Sequence, residues 1–529
     1  MNIWPFGGPF WQLSWPWVVL GFLLAVCLFG GSASGVQAKE PALPAGLQQV
    51  QDQVQEAPRE PALPQGLGKG EETTDEPALP SGLEQGSGTK EPSLPSGLSS
   101  PTKPEPELPA GLAGESQESD EASGATGDRE AGWWDSLDLP VYGYLEGRVG
   151  PRLQSDPVQS RDATLGEVRL QLQSEKYWDT ATLDLTADAV LDGVAEEADL
   201  DVRQLRLTFS PLDSMDVRVG RQVLSWGTGD LIFINDLFPK DWVSFLIGRD
   251  EEYLKAPGNA VRIGWFTELV NVNLVYSPKF DPDRFITGER LSYWNPALGR
   301  IAGEDNEIRT EEPDDWFDDD ELALRLYRNI AGTEVALYSS FGYWKSPAGQ
   351  DRASGKAVFP RLNVYGASVQ GTVGPGIGNV EVGYYDSRED QGGDDPFVNN
   401  SEVRVLVGYE QELATEFTGS VQYYLEHMLD YDDYRDNLPQ GAESRDEDRH
   451  LLTLRLTKLL MNQDLTLSLF TFYSPSDQDA YLRPEARYEL SDAWTVSTGG
   501  NLFAGEDPNS FFGQFEDSSN WYLSLRYAF

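Results

Sequence analysis

Arginine recurs along this chain in a pattern that can do chemistry. Arg148, Arg169, Arg206, Arg218, Arg262, Arg325, Arg404, Arg455 and Arg526, with Arg483 and Arg487 among them, fall on the polar side of short segments whose other side is aliphatic. A guanidinium is always charged and offers five donors in one plane, which suits it to carboxylate or phosphate. Gathered on one surface, such groups coordinate anions without making or breaking bonds. Carboxylates on the same side are fewer: Glu146, Glu167, Asp184, Asp188, Glu334, Glu381, Glu402 and Glu485. Two readings stay open. Either Arg and Glu pair across strands and brace a polar interior, or the arginines line an electropositive conduit that selects anions.

Catalytic chemistry has little to work with. The two histidines, His427 and His450, lie in or beside one polar loop, and the only cysteine, Cys27, lies inside an apolar N-terminal run. No H-E-x-x-H, phosphate-cradling glycine loop, G-x-S-x-G or dinucleotide fingerprint occurs. No catalytic residue, metal site or cofactor is expected. A net charge of -47 argues against a nucleic-acid partner. The acidic run EEPDDWFDDDE from Glu311 lacks the spacing of an EF-hand and reads as solvated surface.

The segments that carry the arginines have strand periodicity. EVRLQLQ from Glu167, RQLRLTF from Arg203, EVRVLVGY from Glu402 and LLTLRLTKL from Leu451 alternate apolar and polar residues. About 18 such strands are counted, with 16 as the alternative, between residues 141 and 529. Short turns alternate with long polar loops, the long ones covering 226–257, 277–320, 344–360, 386–401, 427–449 and 503–519. A sandwich has no reason to sort its connections into two classes, whereas a transmembrane antiparallel up-and-down β-barrel does. Tyr177, Trp178, Trp226, Trp265, Trp344, Trp494, Trp521 and Tyr522 cluster near strand ends, as interfacial aromatic girdles do. The fold class is therefore all-β, a closed barrel over 141–529, joined through a linker at 131–140 to an N-terminal arm.

Residues 1–38 read as a secretory signal. The run WVVLGFLLAVCLFG from Trp17 is too short for a confident membrane span, and an A-x-A-like site follows at Val36-Gln37-Ala38. No Lys or Arg occurs in these 38 residues, so an uncleaved anchor stays open. From 39 to 130 the chain is rich in Pro, Glu, Gly and Ser, a composition that stays disordered. One phrase recurs there with variable spacing: EPALPAGL at Glu40, EPALPQGL at Glu60, EPALPSGL at Glu76, EPSLPSGL at Glu91 and EPELPAGL at Glu105. These copies are either a multivalent ligand for a periplasmic protein or a duplicated spacer.

The last segment, NWYLSLRYAF, puts Trp521, Leu523, Leu525, Tyr527 and Phe529 on one face. Tyr527 and Phe529 resemble the end of the C-terminal strand of Gram-negative outer-membrane barrels, which the barrel-assembly machinery reads. The resemblance implies an outer-membrane location, among lipid and lipopolysaccharide. The stretch from Gly220 to Trp265 has an apolar centre, LIFI at Leu231 and LF at Leu237, that would not stay in water. Its opening, Gly220, Arg221, Gln222, Trp226 and Gly227, is similar to a stretch of porin-like outer-membrane families, including alginate-export-type channels. It implies a third external loop folded inward as a constriction, lined or braced by Arg221, Asp230, Asp236, Lys240, Arg249, Asp250 and Glu251. Passive passage of small or acidic solutes is the expected activity. The alternatives are the outer-membrane element of an export assembly docked through the repeats, and a sleeve around an inserted protein.

Overall fold

The computed structural model describes residues 140–442 and 444–529. The signal, the repeats and most of the linker lie outside the described residues. Eighteen strands follow one another around a closed wall. The first nine are β1 (Val141–Pro151), β2 (Ala163–Trp178), β3 (Ala181–Asp192), β4 (Glu197–Leu212), β5 (Met215–Val223), β6 (Pro257–Trp265), β7 (Asn271–Ser277), β8 (Glu321–Ile330) and β9 (Thr333–Tyr343). The others are β10 (Arg361–Val373), β11 (Gly376–Ser387), β12 (Glu402–Ala414), β13 (Phe417–Met428), β14 (Asp448–Leu460), β15 (Leu465–Ser474), β16 (Asp479–Ser491), β17 (Trp494–Gly505) and β18 (Asn520–Ala528). Each pairs antiparallel with its chain neighbours, and β18 pairs with β1 from Tyr144↔Ala528 to Val149↔Leu523. Gly143 and Phe529 add reciprocal backbone hydrogen bonds of 3.0 and 2.9 Å. No edge is left to template aggregation.

Alternation decides which face of each strand looks out. On β18, Trp521, Leu523, Leu525 and Tyr527 are 39–52 % exposed, while Tyr522 and Ser524 between them are 4 % and 2 % exposed. The same parity on β1 turns Leu145 and Val149 outward and Glu146 and Arg148 inward. A water-soluble barrel would place these the other way round. One end carries short turns. At Ala331-Gly332 both residues have positive φ (54° and 85°), the primed turn that matches strand twist, with Asn329 Oδ1 accepting from the Gly332 N–H. The other end carries the long loops, although two of its connections, 193–196 and 475–478, are as tight as turns.

Exposed aromatics ring the turn end, with Trp178, Trp265, Trp494, Tyr527 and Phe529 facing out. A second ring at the loop end is built from Phe341, Tyr365, Tyr384, Tyr423, Tyr473 and Trp521. Four girdle residues expected from sequence do not belong to either, the first being Tyr177, which has the inward parity of Glu175 on β2. Trp344 and Tyr522 are buried, and Trp226 packs on Phe238 with ring centroids 4.9 Å apart. Tyr522 has inward parity on β18, and Trp226 and Trp344 stand one to three residues beyond their strands, where alternation no longer fixes direction.

Candidate functional site

The inward face and the third loop, residues 224–256, form one packed unit. A strand wall of this size encloses more space than its own side chains fill. The apolar centre of the loop occupies part of it: Ile232, Ile234, Phe245, Leu246 and Ile247 share a buried cluster with Tyr385, Leu406, Phe470, Phe472 and Tyr481 from the wall. Burial of each such side chain is worth about 1.5–3 kcal/mol. A short helix, α1 (Trp242–Ile247), starts where the Asp241 carboxylate accepts the Ser244 N–H at 2.7 Å and stops at Gly248 in the left-handed region, φ 95°.

Polar anchors fix the loop in register. The Glu381 carboxylate on β11 accepts from the Thr228 N–H (2.8 Å) and Oγ1 (3.0 Å), and from the Asn235 N–H (2.8 Å) and Nδ2 (2.9 Å). Gln422 on β13 accepts from the Asp230 N–H and donates to its carbonyl. The wall makes room with glycine: a Cβ on Gly366 would sit 1.8 Å from Asn235 Oδ1, and one on Gly383 would sit 2.6 Å from Ile234 Cγ2.

The arginines divide into three groups. Arg148 and Arg526 both reach Asp250 of the loop at 2.6 Å and share Glu146, and Arg487 joins Asp250 at 3.3 Å. Arg455 meets Asp230 at 2.7 Å and Glu251 at 3.2 Å, and Arg483 lies 3.7 Å from Glu251. Arg169 belongs to the same side, paired with Glu167 and Asp188 and stacked 4.2 Å over the Tyr253 ring. A second group lies on β4 to β8, where Arg218 stands directly opposite Arg262 in the strand register. Arg206 pairs with Asp184 at 2.8 Å, Arg325 pairs with Glu334, and Arg262 donates to the Asn273 amide oxygen at 3.3 Å. Among the described residues no carboxylate lies within salt-bridge distance of Arg262. The third group is Arg404 near the loop end, held by Glu402 (2.7 Å) and Glu426 (3.6 Å).

The loop residues singled out from sequence split the same way. Asp230, Asp250 and Glu251 reach wall arginines, and Arg249 reaches Glu167 at 2.6 Å. Asp236 and Lys240 pair with each other at 3.0 Å inside the loop, and Arg221 donates to the Val202 carbonyl at 2.7 Å. Sequence reasoning gave no loop-holding role to Glu381, Gln422 or Tyr253. The signal that could have found the approach, which sequence reasoning passed over, is the pair of in-strand glycines Gly366 and Gly383.

Burial and charge set the loop's titration. Burial alone would raise Asp250, but the guanidiniums of Arg148, Arg487 and Arg526 outweigh it and hold the carboxyl well below its ordinary range. Glu252 is raised by burial and by Asp250 beside it. Asp230 is raised by burial despite Arg455.

No family model matches the chain, and no curated protein does. Among solved structures the chain is similar to Acinetobacter baumannii OccAB1, at 10 % identity and a TM-score of 0.46, over 74 % of this chain and 96 % of that one. It is also similar to a loop-deletion mutant of OmpT, an outer membrane protein of Vibrio cholerae, at 12 % identity and a TM-score of 0.36, over 74 % and 99 %. A triple mutant of the Rhodopseudomonas blastica porin matches at 11 % identity and a TM-score of 0.34, over 74 % and 100 %. The fold, by its own register, is a closed 18-strand antiparallel β-barrel.

Proposed function

We propose that this chain is an outer-membrane channel for small anionic solutes, with the third loop as its constriction. The supporting observation is the inverted polarity of the wall: leucine, valine and aromatics face outward, and arginines face inward interleaved with carboxylates, which are not the minority that the sequence suggested. An apolar exterior between two aromatic rings fits a bilayer, and a charged interior fits a water-filled path. From Trp521 to Phe529 the strand runs about 27 Å, which at a tilt of ~40° spans roughly 20 Å of membrane. Arg262, set opposite Arg218 in the register and bonded to the Asn273 amide oxygen, contributes positive charge to this side of the path. Tyr527 and Phe529 are the residues that the assembly machinery would read.

The test is the reversal potential of the purified protein in a planar bilayer under a KCl gradient, with and without residues 39–130. Anion-selective current in both forms supports the reading. Current only when a periplasmic partner is added would instead favour an export element docked through the five EPxLPxGL copies, the observation that keeps that second reading in play.

A further inference from the structure

Three wall strands aim a guanidinium at one loop carboxylate, since Arg148, Arg487 and Arg526 all meet Asp250. The next residue, Glu251, is approached by Arg455 and Arg483. Against these five guanidiniums the wall supplies two bonded carboxylates, Glu146 and Glu485. The patch is therefore strongly positive without the loop. It remains rich in donors with the loop in place: Arg148 and Arg483 are 2 % and 7 % exposed, yet Arg148 Nε and Arg483 Nη1 have no hydrogen-bond acceptor. Buried donors of this kind cost free energy until an acceptor arrives.

The segment that pairs with these arginines has the chemistry of a small polycarboxylate. Asp250 and Glu251 are consecutive, and each presents its carboxylate to a different group of arginines. Gly248 on one side has left-handed backbone freedom, while Tyr253 and Leu254 on the other are buried. Between them Arg249 is bonded to Glu167 and to Ser244 of α1, so the backbone is held and the exchange is one of the Asp250 and Glu251 side chains.

We propose that Asp250 and Glu251 are a built-in stand-in for the transported solute, and that a solute with two or more neighbouring carboxylates opens the channel by displacing them from the five arginines. This rests on the channel reading above. The exchange trades one set of charge-assisted bonds for another, so its cost is small beside that of emptying the site. A tethered ligand acts at an effective concentration in the millimolar range, which several carboxylates on one molecule can match and a single one cannot.

The experiment compares conductance of the full chain in planar bilayers in sodium citrate and in sodium acetate at equal ionic strength. Citrate should raise the wild-type conductance severalfold over acetate. The D250N/E251Q variant should conduct at the raised level in both salts. Equal conductance in the two salts, or a block by citrate, overturns the proposal. A variant lacking residues 230–252 separates the two claims: if it conducts while citrate and acetate remain equal in the wild type, the stand-in fails and the channel stands. If it also passes no current, the channel reading fails. Heat-modifiable gel migration shows that each variant is folded, and should D250N/E251Q not fold, the citrate and acetate comparison on the wild type decides alone.

Discussion

Arg148 of β1 holds Asp250 of the third loop at 2.6 Å and also donates to the Gly248 carbonyl at 2.5 Å, joining residues about a hundred positions apart in the chain. Both side chains are nearly buried, but Asp250 keeps Arg526 and Arg487, and Arg148 keeps Glu146, when the other is removed. Arg148→Met should lower unfolding stability by about 1–3 kcal/mol, and the double variant R148M/D250L should lose less than the two single losses added together. Chemical denaturation of the four proteins in detergent checks this, and strict additivity would show the contact to be energetically idle.

Glu381 tests the anchoring of the loop from the opposite wall. Glu381→Ala strips acceptors from two backbone N–H groups, a hydroxyl and an amide. Each unsatisfied donor left buried costs about 1–3 kcal/mol. Limited proteolysis should then cut within 224–240 much faster than in the wild type, while E381Q, which keeps one carbonyl oxygen, should fall between. Equal cleavage in all three would remove Glu381 from the argument.

Gly366 carries a steric prediction. A Cβ there collides with the Asn235 amide, so Gly366→Ala should cost about 1–3 kcal/mol by overpacking. Pairing it with Asn235→Gly should restore only part of the loss, because the Val382 carbonyl oxygen still lies 2.6 Å from the new Cβ. Thermal unfolding of the single and double variants reads the difference.

Glu252 predicts a pH effect whose sign follows from its raised pKa. A carboxyl with a higher pKa folded than unfolded favours the native state at low pH, and that contribution is lost as pH rises through the folded value. Glu252→Gln removes the disfavoured charge, so it should be more stable than the wild type near pH 7.5 and equal to it near pH 4. Asp250 behaves oppositely: its contribution is present above the ordinary carboxylate pKa and is lost only in strong acid. A Tm gap that stays constant with pH would contradict the sign for Glu252.

Strand periodicity made the wall legible. Period-2 alternation survives in the register, so the inward parity of Arg148, Arg169 and Arg526 and the outward parity of Leu523 and Leu525 could be read directly. Loop 224–256 was legible only as an apolar stretch with nowhere else to go. Its contacts were not, since Asp250 with Arg526, or Asn235 with Glu381, are long-range meetings with no local pattern. Trp226 and Trp344 misled because an aromatic just past a strand end is interfacial when it faces lipid and core when a loop covers it.

The Arg218 and Arg262 pair bears on selectivity most directly. Two guanidiniums directly opposite each other repel, an arrangement that a purely bracing interior would avoid. Their neighbours Arg206 and Arg325 already have carboxylates, so the positive charge on this side of the path centres on Arg262, which donates to an amide oxygen. Replacing both, R218E/R262E, should shift the reversal potential under a KCl gradient toward cation selectivity, with the larger change at low ionic strength where screening is weak. R148E is the contrast, because its site lies under the loop carboxylates. If the two variants shifted the potential equally, the path would not pass the β5 and β6 wall.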